Sequence, residues 1–173
     1  MSAKPDPNGA LAALGALHAL VDTAAGALFT RHAERTVCRR GCSACCVDNL
    51  TVFEVEAERI RRAHPELERM TPHDPGACAL LDEDGACRVY DARPYVCRTQ
   101  GLPLAMFEED EQGEVRERRS ICELNLEGEP LADLELEECW LIGPTEIELQ
   151  NLQTRYSGGG QERVALRDLL GRR

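Results

Sequence analysis

Leu14, Leu17, Val21, Ala24 and Leu28 recur at spacings of three and four, which predicts one apolar stripe on a helix over residues 9–33. The same spacing suits a seam between two copies of the chain, so a homo-oligomer through this N-terminal helix stands as an expectation beside packing on its own domain. Residues 51–64 read as a short strand-like entry into a helix, Glu54 to Ala63, which Pro65 closes from beyond its end. Residues 65–80 carry Pro65, Pro72, Pro75 and Gly76 and read as loop. Asp82 to Gly85 reads as a turn, Cys87 to Tyr90 as a short strand and Arg93-Pro94 as a second turn. Residues 102–121 form a hairpin around the acidic stretch Glu108 to Gly113, itself a solvated loop. Thr145-Glu146-Ile147-Glu148 has the capping-box pattern, with Pro144 before it, and starts a helix that runs to about Tyr156. Ser157 to Gly160 is a flexible linker, and Gln161 to Arg173 a short amphipathic helix or a frayed tail. The expected class is α+β: a small, irregular, cysteine-rich metal-binding domain over residues 37–125 with short strands. Helical extensions flank it over residues 1–36 and 126–173.

Composition changes the picture in one respect. Hydrophobic residues make up 43% and charged residues 29%, as in a soluble globular protein, but aromatics only 4%. The core must then come from Leu, Val, Ile and Ala, which lack the area an aromatic buries. A metal can supply what is missing, since a structural zinc site contributes roughly 10–16 kcal/mol of apparent folding free energy. The net charge of −11 argues against nucleic-acid binding, which needs a Lys/Arg surface, and against docking on an anionic membrane. The N-terminal apolar stretch carries His18 and Asp22 in its interior and is rich in Ala and Gly, so it does not read as a membrane span. No signal peptide is evident in Met1 to Asn8, and the expected location is cytoplasmic. Nine cysteines in such a reducing compartment point to metal or redox chemistry rather than a disulfide frame.

The candidate chemistry starts at Cys38-x3-Cys42-x2-Cys45-Cys46, four thiols within nine residues beside Arg39 and Arg40, with Gly41 suited to a bend between them. A lone cysteine packs as a small hydrophobe; four in one loop do not. Adjacent Cα atoms lie about 3.8 Å apart, whereas disulfides want about 4.4–6.8 Å, so a Cys45–Cys46 bridge would be strained. Thiolates are ligands for zinc and for iron–sulfur clusters. Adjacent cysteines point apart, which suggests two centres or one polynuclear cluster. Cys78, Cys87, Cys97 and Cys122 bring the thiols to eight, the number for two four-cysteine sites or for one cluster with further ligands. Arg35, Arg39, Arg40, Arg88, Arg93 and Arg98 lie near these cysteines in sequence, where positive charge would lower thiol pKa values and offset the negative site. Cys139, inside Glu138-Cys139-Trp140-Leu141-Ile142, reads as a packed cysteine.

Three pieces, Cys42-Ser43-Ala44-Cys45-Cys46, Gly85-Ala86-Cys87-Arg88-Val89-Tyr90 and Arg93-Pro94-Tyr95-Val96-Cys97-Arg98, resemble the YkgJ-like cysteine-cluster family. Its CxxCxxCC domain is described as zinc- or iron-chelating and is often labelled iron–sulfur. The resemblance spans roughly residues 38 to 122 and implies a small α+β chelating domain with Cys38, Cys42, Cys45, Cys46, Cys78, Cys87, Cys97 and Cys122 as metal ligands. The family's first pair is often spaced Cys-x2-Cys, and here it is Cys38-x3-Cys42.

The leading expectation is an iron–sulfur protein, of the 4Fe-4S kind, acting in electron transfer, sensing or assembly; several cysteines close together with another from elsewhere is a common cluster arrangement. The alternative is a structural zinc module with two closed four-cysteine sites. An enzyme is disfavoured. Cys38-x3-Cys42-x2-Cys45 matches the radical SAM spacing, but that chemistry lives on a larger barrel and this chain lacks its βα repeats. Flagellin lysine methylases are similar in their cysteine cluster but are longer. His18, His32, His64 and His73 show no metal-site or triad spacing, so no catalytic residue is assigned and no protein partner is named.

Overall fold

The stripe along the first helix forms as expected, with a shift of one residue at two of its positions. A computed structural model describes residues 4–39 and 41–171; Arg40 and the end of the C-terminal segment, Arg172 and Arg173, lie outside the described residues. Helix α1 (Pro7–Arg31) opens with Asp6, whose carboxylate accepts from the Gly9 amide at 3.0 Å, and with Pro7 where no amide is needed. It buries Ala10, Leu14, His18, Val21 and Ala25. The 3.6-residue period thus turns Ala25 inward and leaves Ala24 exposed, with Leu17 and Leu28 half-buried. The opposite side, which includes Ala12, Ala16, Ala19 and Leu20, is exposed. By length and composition α1 could also cross a membrane.

Strand β1 (Thr51–Phe53) leads directly into α2 (Glu54–Ala63), and Pro65 opens a 3-10 turn over Pro65–Arg69. The short α3 (Tyr95–Arg98) follows Pro94. Strands β2 (Leu104–Glu109) and β3 (Val115–Ser120) form the expected hairpin, registered from Leu104↔Ser120 to Glu109↔Val115. Strand β4 (Trp140–Leu141) joins β2 in parallel, α4 (Ile142–Ser157) follows, and β5 (Arg163–Ala165) returns to pair antiparallel with β1. The described residues therefore hold four α-helices and two small sheets, an α+β fold.

Three local expectations give way to tertiary context. Cys87 to Tyr90 makes no strand, only an isolated bridge between Cys87 and Leu81. The Asp82 carboxylate takes the amides of Asp84 and Ala86 at 3.0 and 2.8 Å, and Val89 turns inward to be wholly buried, which folds the segment back on itself. Helix α4 begins at Ile142, before the Thr145 capping box, without a side-chain cap. Extended β4 hands the chain straight into it, and Pro144 falls in the first turn, where its missing amide costs nothing. Beyond α4, Gly158 at φ +82° ends the helix, and the expected C-terminal helix is replaced by β5 and a 3-10 turn, Leu166–Leu169. Leu166, Leu169 and Leu170 are buried there because they fill a core.

Two principal cores result. The first gathers Ala10, Leu14 and Val21 of α1 with Leu102, Trp140, Leu149 and Leu152. The second gathers Val52, Ala57, Ile60, Leu67, Leu80, Val89, Leu166 and Leu169, with Cys78 and Cys87 packed against it. Helix α2 serves both, Val55 in the first and Ile60 in the second. Cys139 is buried with Ala105 and Leu134, a packed cysteine as its apolar neighbours imply.

Candidate metal centre

The first cysteine segment leaves α1 and is tied down by Arg35. This buried guanidinium donates to the carbonyls of Glu129 and Glu127 at 2.7 and 3.3 Å. Two tight turns follow. The Cys42 amide donates to Arg39 O at 2.9 Å, with Gly41 at φ +85°, and the Cys46 amide donates to Ser43 O at 2.8 Å. Four thiols are thereby presented from one compact loop, Cys38 and Cys45 exposed, Cys42 and Cys46 half-buried.

Cys38 is seated by a residue that spacing does not flag. Asn125 is completely buried. Its Oδ1 accepts from the Val37 amide at 3.0 Å, and its Nδ2 donates to Gly101 O at 2.8 Å and to Cys38 Sγ at 3.4 Å. The Asn125 amide itself donates to Cys122 O at 2.8 Å, which brings Cys122 to the same corner. Gly101 sits at φ +98°, and a Cβ there would come within 2.8 Å of Cys38 Sγ. Only glycine allows that approach.

The second segment is joined at Cys46, whose carbonyl accepts from the Cys78 amide at 2.9 Å. Asp48 fixes the approach to Cys78. It accepts from the Gly76 amide at 3.0 Å and from Arg167 Nη2 at 2.8 Å, and these bonds, Gly76 first, hold its carboxyl down to about 2. Cys87 reaches the same corner through its bridge to Leu81. Cys97 rides on α3. The first amide of that helix, Tyr95 N–H, donates to Glu56 Oε1 at 2.8 Å, and Arg98 Nη1 donates to Asp22 Oδ2 at 2.5 Å.

The thiols act on one another. Burial, then the neighbouring Cys78, Cys87 and Cys45, pushes Cys97 up to about 12. Burial also raises Cys78 and Cys87. It raises Cys38 against the opposing Asn125 bond. The adjacent thiols act oppositely on each other: Cys46 draws Cys45 down to about 6, and Cys45, then burial, drives Cys46 well up. Crowded, half-buried thiols resist ionising together, and a cation that neutralises them reverses this preference. Cys139 feels Arg119, Glu117 and Glu138 instead and stands apart.

The expected arginine collar is thinner than the sequence implied. Arg35 and Arg88 bond carbonyls, Arg88 that of Thr71 at 2.8 Å, and Arg98 bonds Asp22. Arg93 stacks on Tyr90 at 4.2 Å and favours the ionised form of Cys87. Arg167, beyond the cysteine region, does the same for Cys78. Histidines bond elsewhere: His32 Nε2 to Glu138 O at 2.7 Å, His64 Nε2 to Asp91 at 2.9 Å.

Among the described residues, no three His, Cys, Asp or Glu side chains are arranged to hold a metal ion as they stand. The donor set nonetheless fits zinc or iron: eight soft thiols on adjoining segments, mutually repelling when ionised, with Asn125 already directed at one sulfur. A family model with the description "CxxCxxCC: Putative zinc- or iron-chelating domain" matches residues 37–123. The match brackets all eight cysteines and leaves out Cys139. No curated protein and no solved structure matches the chain.

Proposed function

The chain belongs to the CxxCxxCC family of zinc- or iron-chelating domains, and on that premise we propose that its eight cysteines coordinate iron as iron–sulfur, for electron transfer, sensing or cluster assembly. The observation that carries this reading is the Cys38–Cys46 loop, four thiols in two tight turns with the thiols of Cys78, Cys87, Cys97 and Cys122 brought up from other segments. Iron–sulfur clusters are commonly held by such a close run of cysteines plus a distant one. The adjacent Cys45 and Cys46 are awkward for a single tetrahedral ion and natural for more than one metal atom. Exposure of Cys38 and Cys45 would let a redox partner approach. Free thiols throughout suit the reducing cytoplasm, where we place the protein.

A specific observation also favours zinc. Cys78 and Cys87 pack against the second core, which contains no aromatic side chain, and a closed zinc site there would act as a staple. Purification without air separates the two. The iron–sulfur reading expects brown protein with sulfide-to-iron and thiolate-to-iron absorbance in the visible and iron by elemental analysis. Colourless protein carrying stoichiometric zinc rejects it.

A further inference from the structure

Two of the cysteine segments are fastened together by a stretch of chain that lies outside residues 37–123, the part matched by the family model. Strand β5 and the turn after it, residues 163–171, bond on both sides. On one side β5 pairs with β1, the Leu166 amide donates to Leu50 O at 2.9 Å, and Arg163 Nη2 donates to Thr51 O at 2.8 Å. On the other the Gly171 amide donates to Leu67 O and Met70 O, each at 3.2 Å. Leu166, Leu169 and Leu170 fill the second core.

Arg167 stands where both sides come nearest to cysteines. Its Nη2 and Nε donate to Asp48 Oδ1 at 2.8 and 3.3 Å, two residues after Cys46. Its Nη1 donates to His73 O at 2.9 Å, and Nη2 donates also to Ala77 O at 3.5 Å, just before Cys78. Between these contacts the Cys78 amide donates to Cys46 O at 2.9 Å, and the Gly76 amide to Asp48 Oδ2 at 3.0 Å. One side chain therefore spans both approaches to the Cys46–Cys78 bond. A planar guanidinium can do this because its donors are fixed in a fork; an ammonium offers a single point. A cleft of about 430 Å³ lined by Pro72, His73, Asp74, Pro75 and Asp168 opens beside Arg167, so this edge is bridged by its bonds rather than by close packing.

We propose that residues 163–171 form a clasp on the metal centre and that Arg167 latches it, as a positioning residue that holds Cys46 and Cys78 together and slows the escape of metal. The proposal rests on the reading of these two cysteines as ligands and holds for zinc or iron. Opening the latch removes no thiol. It frees residues 46–48 from residues 73–78, so a metal held from both loses a ligand more readily.

The test uses the full chain, reduced, with cobalt(II) and zinc(II) as probes. Thiolate-to-cobalt absorbance reports the thiols bound, and zinc transfer to excess chelator reports release. Arg167→Gln should release zinc roughly 10-fold faster or more, with the cobalt absorbance unchanged. Asp48→Asn should also speed release, and combining the two should add little, because they form one latch. Arg167→Lys should fall between Arg167→Gln and the wild type. Leu166→Ala weakens the second core and leaves the fork; per degree of melting temperature lost, it should speed release less than Arg167→Gln does. Coupling is reciprocal, so zinc removal from the wild type should raise hydrogen exchange over residues 163–171, a measurement that needs no variant. Unchanged release in Arg167→Gln, fully additive effects with Asp48→Asn, the same release per degree in Leu166→Ala, or unchanged exchange over 163–171 overturns the clasp and leaves the cysteines as ligands. Absence of thiolate-to-cobalt absorbance in the wild type overturns the ligand reading, and the clasp with it.

Discussion

A single asparagine shows how much of a metal site lies outside its ligands. Asn125 meets three groups: the Val37 amide, the Gly101 carbonyl and the Cys38 sulfur. Asn125→Ala leaves the Gly101 carbonyl unpaired in a buried place, which costs about 1–3 kcal/mol, and takes the partner from the half-buried Val37 amide. It also frees the Cys38 side chain. Partners of this kind commonly change metal affinity by about 10–100-fold when removed, so competition with a chelator should show Asn125→Ala binding weaker by that factor. Unchanged affinity would mean that the Cys38 contact is incidental. Cys97→Ser should hold less metal than the wild type and melt lower, whereas Cys139→Ser, in its separate apolar pocket, should keep its metal. Full metal content and unchanged melting in Cys97→Ser would remove that residue from the ligand set. The cysteines were legible in the sequence because four thiols in nine residues have no packing explanation. Asn125 was not, because an asparagine three residues after a cysteine looks like any loop residue until the fold buries it.

Elements were legible where local pattern and tertiary demand agree. Strand β1, helix α2 and the β2–β3 hairpin all form where local signals predict them, Pro65 past the helix and the acidic turn Glu108 to Gly113 inside the hairpin. The strand at Cys87, the cap at Thr145 and the C-terminal helix fail because distant partners decide those segments: the second core takes Val89 and Leu166, and β4 sets the start of α4. Periodicity also said nothing of the polar contacts between α1, α2 and α3. His18 is buried on α1 with its Nε2 3.5 Å from Glu56 Oε1, too poorly aligned for a hydrogen bond, while Arg98 and Arg59 add positive charge nearby. Burial therefore dominates and lowers the His18 pKa from 6.5, despite the attraction of Glu56. The sign follows from proton counting: below pH 6.5 the unfolded chain takes up a proton at His18 that the folded chain resists, so stability falls as pH drops. Melting temperatures measured from pH 7 down to about pH 5 should decline less steeply in His18→Gln than in the wild type. Parallel declines would mean that His18 carries none of the acid sensitivity.

At the scale of the whole molecule, two principal cores organise the described residues, and Cys78 and Cys87 pack against the second of them. The first core holds α1 to α4 through Leu14, Val21, Leu149 and Leu152 and includes no cysteine. The second closes over Cys78 and Cys87, and it draws strands from positions far apart in the chain, pairing Thr51 with Ala165. That pairing was illegible in sequence because three-residue strands carry too little pattern to name a partner, and only the shared apolar interior selects it. Long-range closure of this kind costs loop entropy that local contacts do not repay, so the second core depends more on whatever cross-links the cysteine segments. Removing metal under reducing conditions should then loosen the molecule unevenly. Hydrogen exchange should rise first over residues 37–50 and 76–98 and along β5, while amides in the middle of α1 and α4 stay protected until global unfolding. Loss of protection spread evenly over both cores would show instead that the metal sites stabilise one cooperative unit, and that the helices flanking the cysteine region depend on them as fully as the second core does.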